Sequence, residues 1–340
     1  MKKKIFKAAD KNFIQKLFEN KKKLFFPSTQ SEISEIQIEK ISPFWAKETC
    51  LARYKIFFGK EMNIIRGSAK TSRPNKETWK IMKYLYSAGF NKGNLLVAEP
   101  VDFIEELNLI LYKETPGLPL GEVLLSQKPK TQEIIRYLEK AAGWLRKLHT
   151  LSCSKKKFRR ALFLGKEKYI KIFKKINWFM PDLKDYLPQG KNLEIIDEIW
   201  RKEKKSLIHN DFYPGNFIIG KGKFYGIDFD RSGIGPQLMD VAALYGFLEF
   251  PKEIWKPNLS EKEIKILQEG FLKTYCKIIP LNYPETRIKL KKFLAKIYLD
   301  QVHYYAALAF KGWRFLDNQT KEDFATKIKS LLLKMEEYLS

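Results

Sequence analysis

His209-Asn210-Asp211-Phe212-Tyr213-Pro214-Gly215-Asn216 is the stretch that decides the reading, together with Asp228 twelve residues later in Ile227-Asp228-Phe229-Asp230. The spacing H-x-D-x-x-x-x-N puts a carboxylate at Asp211, where it can take a proton from a substrate hydroxyl. It puts a neutral oxygen donor at Asn216, where it can face a metal ion. Between Asn216 and Asp228 lie two short apolar runs, Phe217-Ile218-Ile219 and Phe224-Tyr225-Gly226-Ile227, separated by Gly220-Lys221-Gly222-Lys223. Apolar runs bounded by turn residues predict a hairpin, here centred on Gly222, with Asn216 and Asp228 meeting at its open end. An amide oxygen beside a carboxylate suits Mg2+, a hard cation that completes its shell with water and substrate phosphates.

Taken singly, these residues have ordinary uses. A histidine is often a hydrogen-bonded core residue, and short polar side chains favour caps and turns through local backbone bonds. The set at this spacing, with a hairpin between its parts, carries the chemistry that no single member does.

On these residues the chain resembles the aminoglycoside phosphotransferase and choline kinase superfamily, which shares the protein-kinase-like fold. The resemblance continues through Ile227-Asp228-Phe229-Asp230-Arg231, Gly235-Pro236 and Asp240-Val241-Ala242, through a hinge-like Leu111 to Leu120, and through the helix ending Leu145-Arg146-Lys147-Leu148-His149. It implies an α+β bilobal fold with a small antiparallel-sheet N-lobe and a larger, mainly helical C-lobe. It implies ATP and Mg2+ as cofactors, Asp211 as catalytic base or hydroxyl-orienting group, and His209 as the brace of the catalytic loop. Asn216 and Asp228 become magnesium ligands, and Asp240 ties the same loop down. Asp230 is open between a position near the metal and the surface.

Upstream, Glu35 to Ile41, Leu51 to Phe58, Met62 to Arg66 and Leu107 to Tyr112 read as strands of an antiparallel sheet, with a helix from about Pro74-Asn75 to before Gly89. Kinase-like enzymes pair a lysine on the third strand with a glutamate on the following helix, and the lysine meets the nucleotide phosphates, a pattern from which an arginine departs. Arg66 and Glu77 occupy those places and are expected to form the pair, with Lys55 and Lys70 as substitutes. No G-x-G-x-x-G precedes them. Ile41 to Lys47 stands in its place, which argues against a eukaryotic-type protein kinase.

The expected division is residues 1–34 as a basic, helical N-terminal extension, 35–115 as the nucleotide-binding lobe and 116–340 as the catalytic and acceptor-binding lobe. Beyond the hinge, Thr131 to His149, Glu261 to Cys276, Glu285 to Phe310 and Asp323 to Leu339 carry apolar residues at helical spacing. Within them Tyr304, Tyr305 and Trp313 are candidates for stacking on the acceptor, or for core.

Three cysteines, Cys50, Cys153 and Cys276, show neither metal-ligand spacing nor a disulfide framework. No apolar run is long enough to span a membrane and the N-terminus lacks a signal-peptide core, so a cytoplasmic protein is expected. The net charge of +25 predicts attraction to polyanions or to anionic membrane surfaces. It favours an anionic or lipid-linked acceptor over a polycation, or else reflects composition alone. The basic, apolar stretch around Phe13 to Phe26 is expected either to pack on the N-lobe or to touch an anionic membrane; nucleic acid is not an expected partner. The reading is an ATP-dependent O-phosphotransferase acting on a hydroxyl of a small molecule or saccharide. The alternatives are a protein kinase of the same superfamily and a catalytically silent, polyanion-binding kinase-like module.

Overall fold

Alternate side chains of β2 (Thr49–Phe58) are buried, so Cys50, Ala52, Tyr54, Ile56 and Phe58 face a core. β3 (Glu61–Lys70) turns back on it antiparallel, from Phe58↔Glu61 to Thr49↔Lys70. With β1 (Glu35–Lys40), β5 (Pro100–Ile104) and β6 (Leu109–Lys113) they make a five-stranded sheet in the order β1-β2-β3-β6-β5. Period-two alternation sends Ile65 and Ala69 of β3 to the core face and Ile64, Arg66, Ser68 and Lys70 to the other. The core face is closed by the N-terminal segment, whose Ile14, Phe18, Phe25 and Phe26 lie in the same cluster as the β2 side chains. Each such side chain is worth about 1.5–3 kcal/mol on burial. Gly67 is required here, because a Cβ would stand 2.7 Å from the Tyr54 ring. The Tyr54 hydroxyl in turn donates to the Ala8 carbonyl at 2.6 Å.

This computed structural model describes residues 5–41, 48–71, 75–126, 130–152, 158–188, 190–250, 254, 259–279 and 281–339. The segment in place of a glycine-rich loop (residues 42–47), the Lys2 to Lys4 cluster, part of the Lys155 to Arg160 cluster and Cys153 lie outside them. Cys50 and Cys276 are buried free thiols.

The chain folds as two units, Met1–Gly117 with Ile218–Asp230, and Leu118–Phe217 with Arg231–Ser340. The division differs from the expected one in two ways. Residues 1–34 are not a separate extension: their helix Lys11–Asn20, capped by Asp10 on the Phe13 amide at 2.8 Å, supplies part of the first unit's core. Ile14 and Phe18 of that helix are buried in this core, while Leu24 beyond its end stays exposed. In addition, the hairpin of strands Phe217–Gly220 and Lys223–Gly226 goes with the first unit, because the second strand runs parallel to β4 (Leu95–Val97), pairing Phe224 with Leu95 and Gly226 with Val97. Its turn has positive φ at both Lys221 (46°) and Gly222 (76°), as a two-residue primed turn needs. The hairpin is therefore centred between these residues and not on Gly222.

The second unit is mainly helical. Helices Thr131–His149, Glu261–Ile278, Tyr283–Gly312 and Asn318–Leu339 occupy the expected places. A small antiparallel pair, Lys205–Ile208 with Gly233–Pro236, joins Ile208 to Gly233. It holds the start of the 209–216 loop beside Arg231 and Ser232. Among the described residues no helix is long and apolar enough to cross a membrane.

Candidate active site

The loop leaving strand Lys205–Ile208 is held from beneath by Asp240, a fully buried carboxylate in the helix Gln237–Leu248. Its Oδ2 accepts the His209 amide at 2.8 Å and its Oδ1 the Asn210 amide at 2.6 Å. His149 Nε2 lies 3.0 Å from Oδ2, and His149 Nδ1 is 2.9 Å from the Tyr275 hydroxyl. A buried carboxylate needs such partners to offset its lost hydration. Asn210 takes a left-handed φ of 61°, which Asn tolerates better than most residues, and its Nδ2 donates to the carbonyls of Leu162 at 2.7 Å and Arg231 at 3.2 Å. The His209 ring is buried edge-on against Trp144, Phe212 and Phe217. Its carbonyl accepts from the Ser232 hydroxyl at 2.9 Å. The ring and main chain of His209 thus anchor the start of the loop in the core.

The brace presents Asp211. Asn216 Nδ2 donates to the Asp211 carbonyl at 2.8 Å and to its Oδ2 at 3.0 Å, closing the loop on itself. Arg231 Nη1 stands 3.4 Å from the other oxygen, Oδ1. With Nδ2 so committed, Oδ1 is the atom Asn216 has left for a cation. Asp211 and Arg231 open onto a cleft of about 740 Å³ within the second unit, whose far wall is the helix Tyr283–Gly312 with Asp300, Tyr304 and Tyr305. Trp313, weighed with these tyrosines for stacking, packs on Phe179 and Phe310 instead. Tyr213 lies in the wall, its hydroxyl accepting from Gln301 Nε2 at 3.3 Å; burial, and then the charges of Asp211 and Asp300, push that phenol well above its ordinary range.

Asp300 is half of a buried pair. Lys296, at 2% exposure, puts Nζ 2.6 Å from Asp300 Oδ2, and the Tyr169 hydroxyl donates to Oδ1 at 2.6 Å. The ammonium lies 5.2 Å from the Phe163 ring centre and 5.4 Å from that of Tyr169. Burial pulls the Lys296 amine below its ordinary value against the opposing charge of Asp300. The sequence offered one signal for Asp300: it lies four residues before Tyr304, hence on the same helical face.

In the first unit the structure does not form the expected Arg66–Glu77 pair. Arg66 is opposite Tyr112 on β6, and its guanidinium meets Glu114 through Nε at 2.7 Å and Nη2 at 2.5 Å. Arg53, directly across from Arg66 on β2, meets the same carboxylate at 2.8 Å. Two like charges facing each other across strands repel, and Glu114 resolves the conflict. Burial opposes ionisation of Glu114, yet the hydrogen bonds from both arginines hold its carboxyl below the usual range. Glu77 pairs with Lys80 at 2.6 Å, one turn on. Helix Asn75–Leu85 buries Thr78, Ile81, Met82 and Leu85, which leaves Glu77 off the inward face.

The basic residue that reaches the acidic Asp228–Asp230 segment is Lys70, the last residue of β3, four residues beyond the expected strand end. Its ammonium pairs with Asp230 Oδ2, and the Thr78 hydroxyl lies 3.4 Å from Oδ1. Asn108 and Asn75 fix this strand end. Asn108 Nδ2 donates to the Lys70 carbonyl at 2.6 Å, and Asn75 Nδ2 to the carbonyls of Ser68 (2.8 Å) and Asn108 (2.7 Å). Asp228 is exposed and holds a left-handed φ of 60°, a conformation that costs energy outside glycine and recurs at functional sites. Its charge reaches Tyr112, whose hydroxyl is pushed up to about 12 by burial first, with Arg66 opposing and Asp228 adding.

The sequence model of the phosphotransferase enzyme family matches residues 69–278, more than half of the chain. Among curated proteins nothing matches. Solved structures similar to this chain include amicoumacin kinase hAmiN in complex with AMP-PNP, Ca2+ and Ami (16% identity, 97% of this chain and 96% of that one, TM-score 0.64). Spectinomycin phosphotransferase APH(9)-Ia, in complex with ADP and its antibiotic, is 14% identical over 96% of this chain and 98% of that one (TM-score 0.59). A choline kinase from Cryptosporidium parvum is 14% identical over 96% of each chain (TM-score 0.61).

Proposed function

This chain belongs to the phosphotransferase enzyme family, and on that premise we propose that it transfers the γ-phosphoryl group of ATP to a hydroxyl of a small molecule held in the cleft at Asp211. One observation carries the reading: the Asp211 carboxylate is fixed by Asn216 on one oxygen and Arg231 on the other, on the wall of a cleft large enough for a small acceptor. Cleft volumes of this order are typical of small-molecule sites.

In this reading Asp211 orients the acceptor hydroxyl and takes its proton. The acceptor oxygen bonds to the γ-phosphorus as the bond from that phosphorus to the β,γ-bridging oxygen breaks, and ADP leaves with those electrons. Asn216, through Oδ1, and Asp228, through its carboxylate, are the hard oxygen donors that suit Mg2+. When bound, that ion neutralises charge on the phosphates. Lys70, rather than Arg66, supplies the cation for the nucleotide phosphates, since Arg66 is engaged at Glu114. Asp230 holds the Lys70 ammonium in place until the phosphates arrive.

Support for the nucleotide comes from the bound AMP-PNP and ADP of the similar structures, set beside the hydroxyl-and-metal chemistry of this loop. The test is calorimetric titration of Mg2+-ATP into the protein, paired with ADP release in the presence of a panel of hydroxyl compounds. Absence of nucleotide binding by the folded protein sinks the proposal.

A further inference from the structure

The charges around the cleft are paired in a way that bears on its acceptor. Three carboxylates line the cleft: Glu122 is solvent-exposed, where water and salt screen its charge, and the other two are paired, Asp211 facing Arg231 at 3.4 Å and Asp300 bonded to Lys296 at 2.6 Å from behind. A cationic acceptor is drawn in by carboxylates whose charge is otherwise uncompensated, and these two have their cations built in. What they keep is hydrogen-bonding capacity. An ionised carboxylate offers about four acceptor directions, and at Asp300 the Tyr169 hydroxyl and the Lys296 ammonium engage one on each oxygen. The residue lines the cleft, so its remaining lone pairs serve a donor there. Tyr304 and Tyr305, with ring centres 5.3 Å apart and planes at 78°, add an aromatic wall on the same helix. Apolar wall and fixed acceptors together fit a ring that presents C–H groups on its face and hydroxyls at its rim.

We propose that the acceptor is an uncharged polyhydroxylated molecule, of the saccharide or cyclitol class, which places one hydroxyl at Asp211 and donates a second to Asp300. The inference rests on the kinase reading above and names its substrate class. Asp300 is a specificity residue, and Lys296 and Tyr169 are positioning residues that fix its two oxygens. Tyr213, whose phenol feels the charge of both Asp211 and Asp300, lies in the same wall as the two carboxylates. A site built to bond a substrate hydroxyl strongly rejects the analogue that lacks it, because its own buried polar group is then left unpaired.

The experiment uses the full chain with Mg2+-ATP and, as acceptors, D-glucose, D-ribose and myo-inositol against ethanolamine, choline and kanamycin. Product is read by phosphorus NMR and rate by ADP release. Polyols are the expected acceptors. For the best of them, the monodeoxy analogue missing the second hydroxyl loses kcat/KM by about 10-fold or more. Asp300→Leu alone would leave Lys296 buried and uncompensated, so the variant is the double replacement Lys296→Met with Asp300→Leu. In it the ratio between polyol and deoxy analogue falls to about one, an effect that loss of stability would not produce. Preference for the amines, turnover of none of the polyols, or a ratio that survives in the double variant overturns the inference. Calorimetry with Mg2+-ATP separates the two readings. Binding with no polyol turnover sinks this inference alone, and failure to bind nucleotide sinks the kinase reading with it.

Discussion

Asn216 Nδ2 donates at once to the main-chain carbonyl of Asp211 at 2.8 Å and to its carboxylate Oδ2 at 3.0 Å. A single amide thereby sets both the loop and the direction of the carboxylate it carries. In the proposed reaction the other amide atom of Asn216 faces the metal ion, so that proton acceptor and metal donor would be positioned by the same two bonds.

Asp211→Asn keeps the shape of this arrangement and removes the basic oxygen. Turnover is expected to fall by about 10²- to 10⁴-fold, the worth of a positioned acid or base, while Mg2+-ATP binding survives. Single-turnover kinetics and calorimetry on the folded variant measure the two. Asp228→Asn behaves differently: the Mg2+ concentration needed for half-maximal rate rises and nucleotide affinity falls with it. Full activity of that variant at low Mg2+ contradicts the metal role.

At Lys70 the expected consequence is on nucleotide binding. Lys70→Met weakens Mg2+-ATP binding by about 10-fold or more, as loss of a charge-assisted phosphate contact should. Arg66→Met leaves that affinity within about twofold and costs on the order of 1 kcal/mol of stability, the usual size of a partly exposed ion pair. Reversal of the two effects in paired titration and urea unfolding would restore Arg66 to the phosphates.

Asp240→Ala removes the acceptor for two main-chain amides and the partner of His149 in a dry interior. Unfolding free energy should drop by about 3–5 kcal/mol, the cost of breaking a buried charged network by deleting one member. Asp240→Asn, which keeps one acceptor oxygen, should lose less. Equilibrium denaturation with unchanged slope checks both.

Helix Glu261–Ile278 begins with a reciprocal capping box, and Ser260 holds the Glu263 carboxyl down to about 2 through main-chain and then side-chain hydrogen bonds, with Thr131 contributing. A carboxyl depressed in the folded state stabilises it above the ordinary value of 4.5, and that stability is lost as pH falls from there through about 2. Ser260→Ala should raise the Glu263 value toward the ordinary one in a carbon-detected NMR titration. It should also flatten the acid limb of the stability curve over that window. An unmoved titration would mean that the main-chain amide of residue 260 and Thr131 sustain the shift without the hydroxyl.

The loop at 209–216 and the hairpin after it were legible because their signals are local: Asp211, Asn216 and the turn-forming residues after them speak within twenty positions. The long helices were legible for the same reason, through their apolar period. Arg66 was preferred to Lys70 because the expected third strand stopped at residue 66. Its continuation to Lys70 is set by pairing with β2 and β6, and by Asn75 and Asn108 clamping its end, all remote in sequence. Glu77 misled through a face that is one residue out of phase. Asp300 was hidden differently. Lys and Asp four apart on a helix read as a solvated ion pair, and only the packing of Phe163 and Tyr169 around Lys296 turns that pair inward.

The parallel pairing of strand Lys223–Gly226 with Leu95–Val97 bears on how this protein is made. The first unit cannot be completed until residue 226 has been synthesised, by which point a hundred residues of the second unit, 118–217, have already been made. Ile14, Phe18, Phe25 and Phe26 must likewise wait for β2 and β3 before they are covered. The two units are interleaved along the chain, so no single cut yields both as independent pieces. Fragments ending near residue 117 should expose the unpaired edge of Leu95–Val97 and be prone to aggregate.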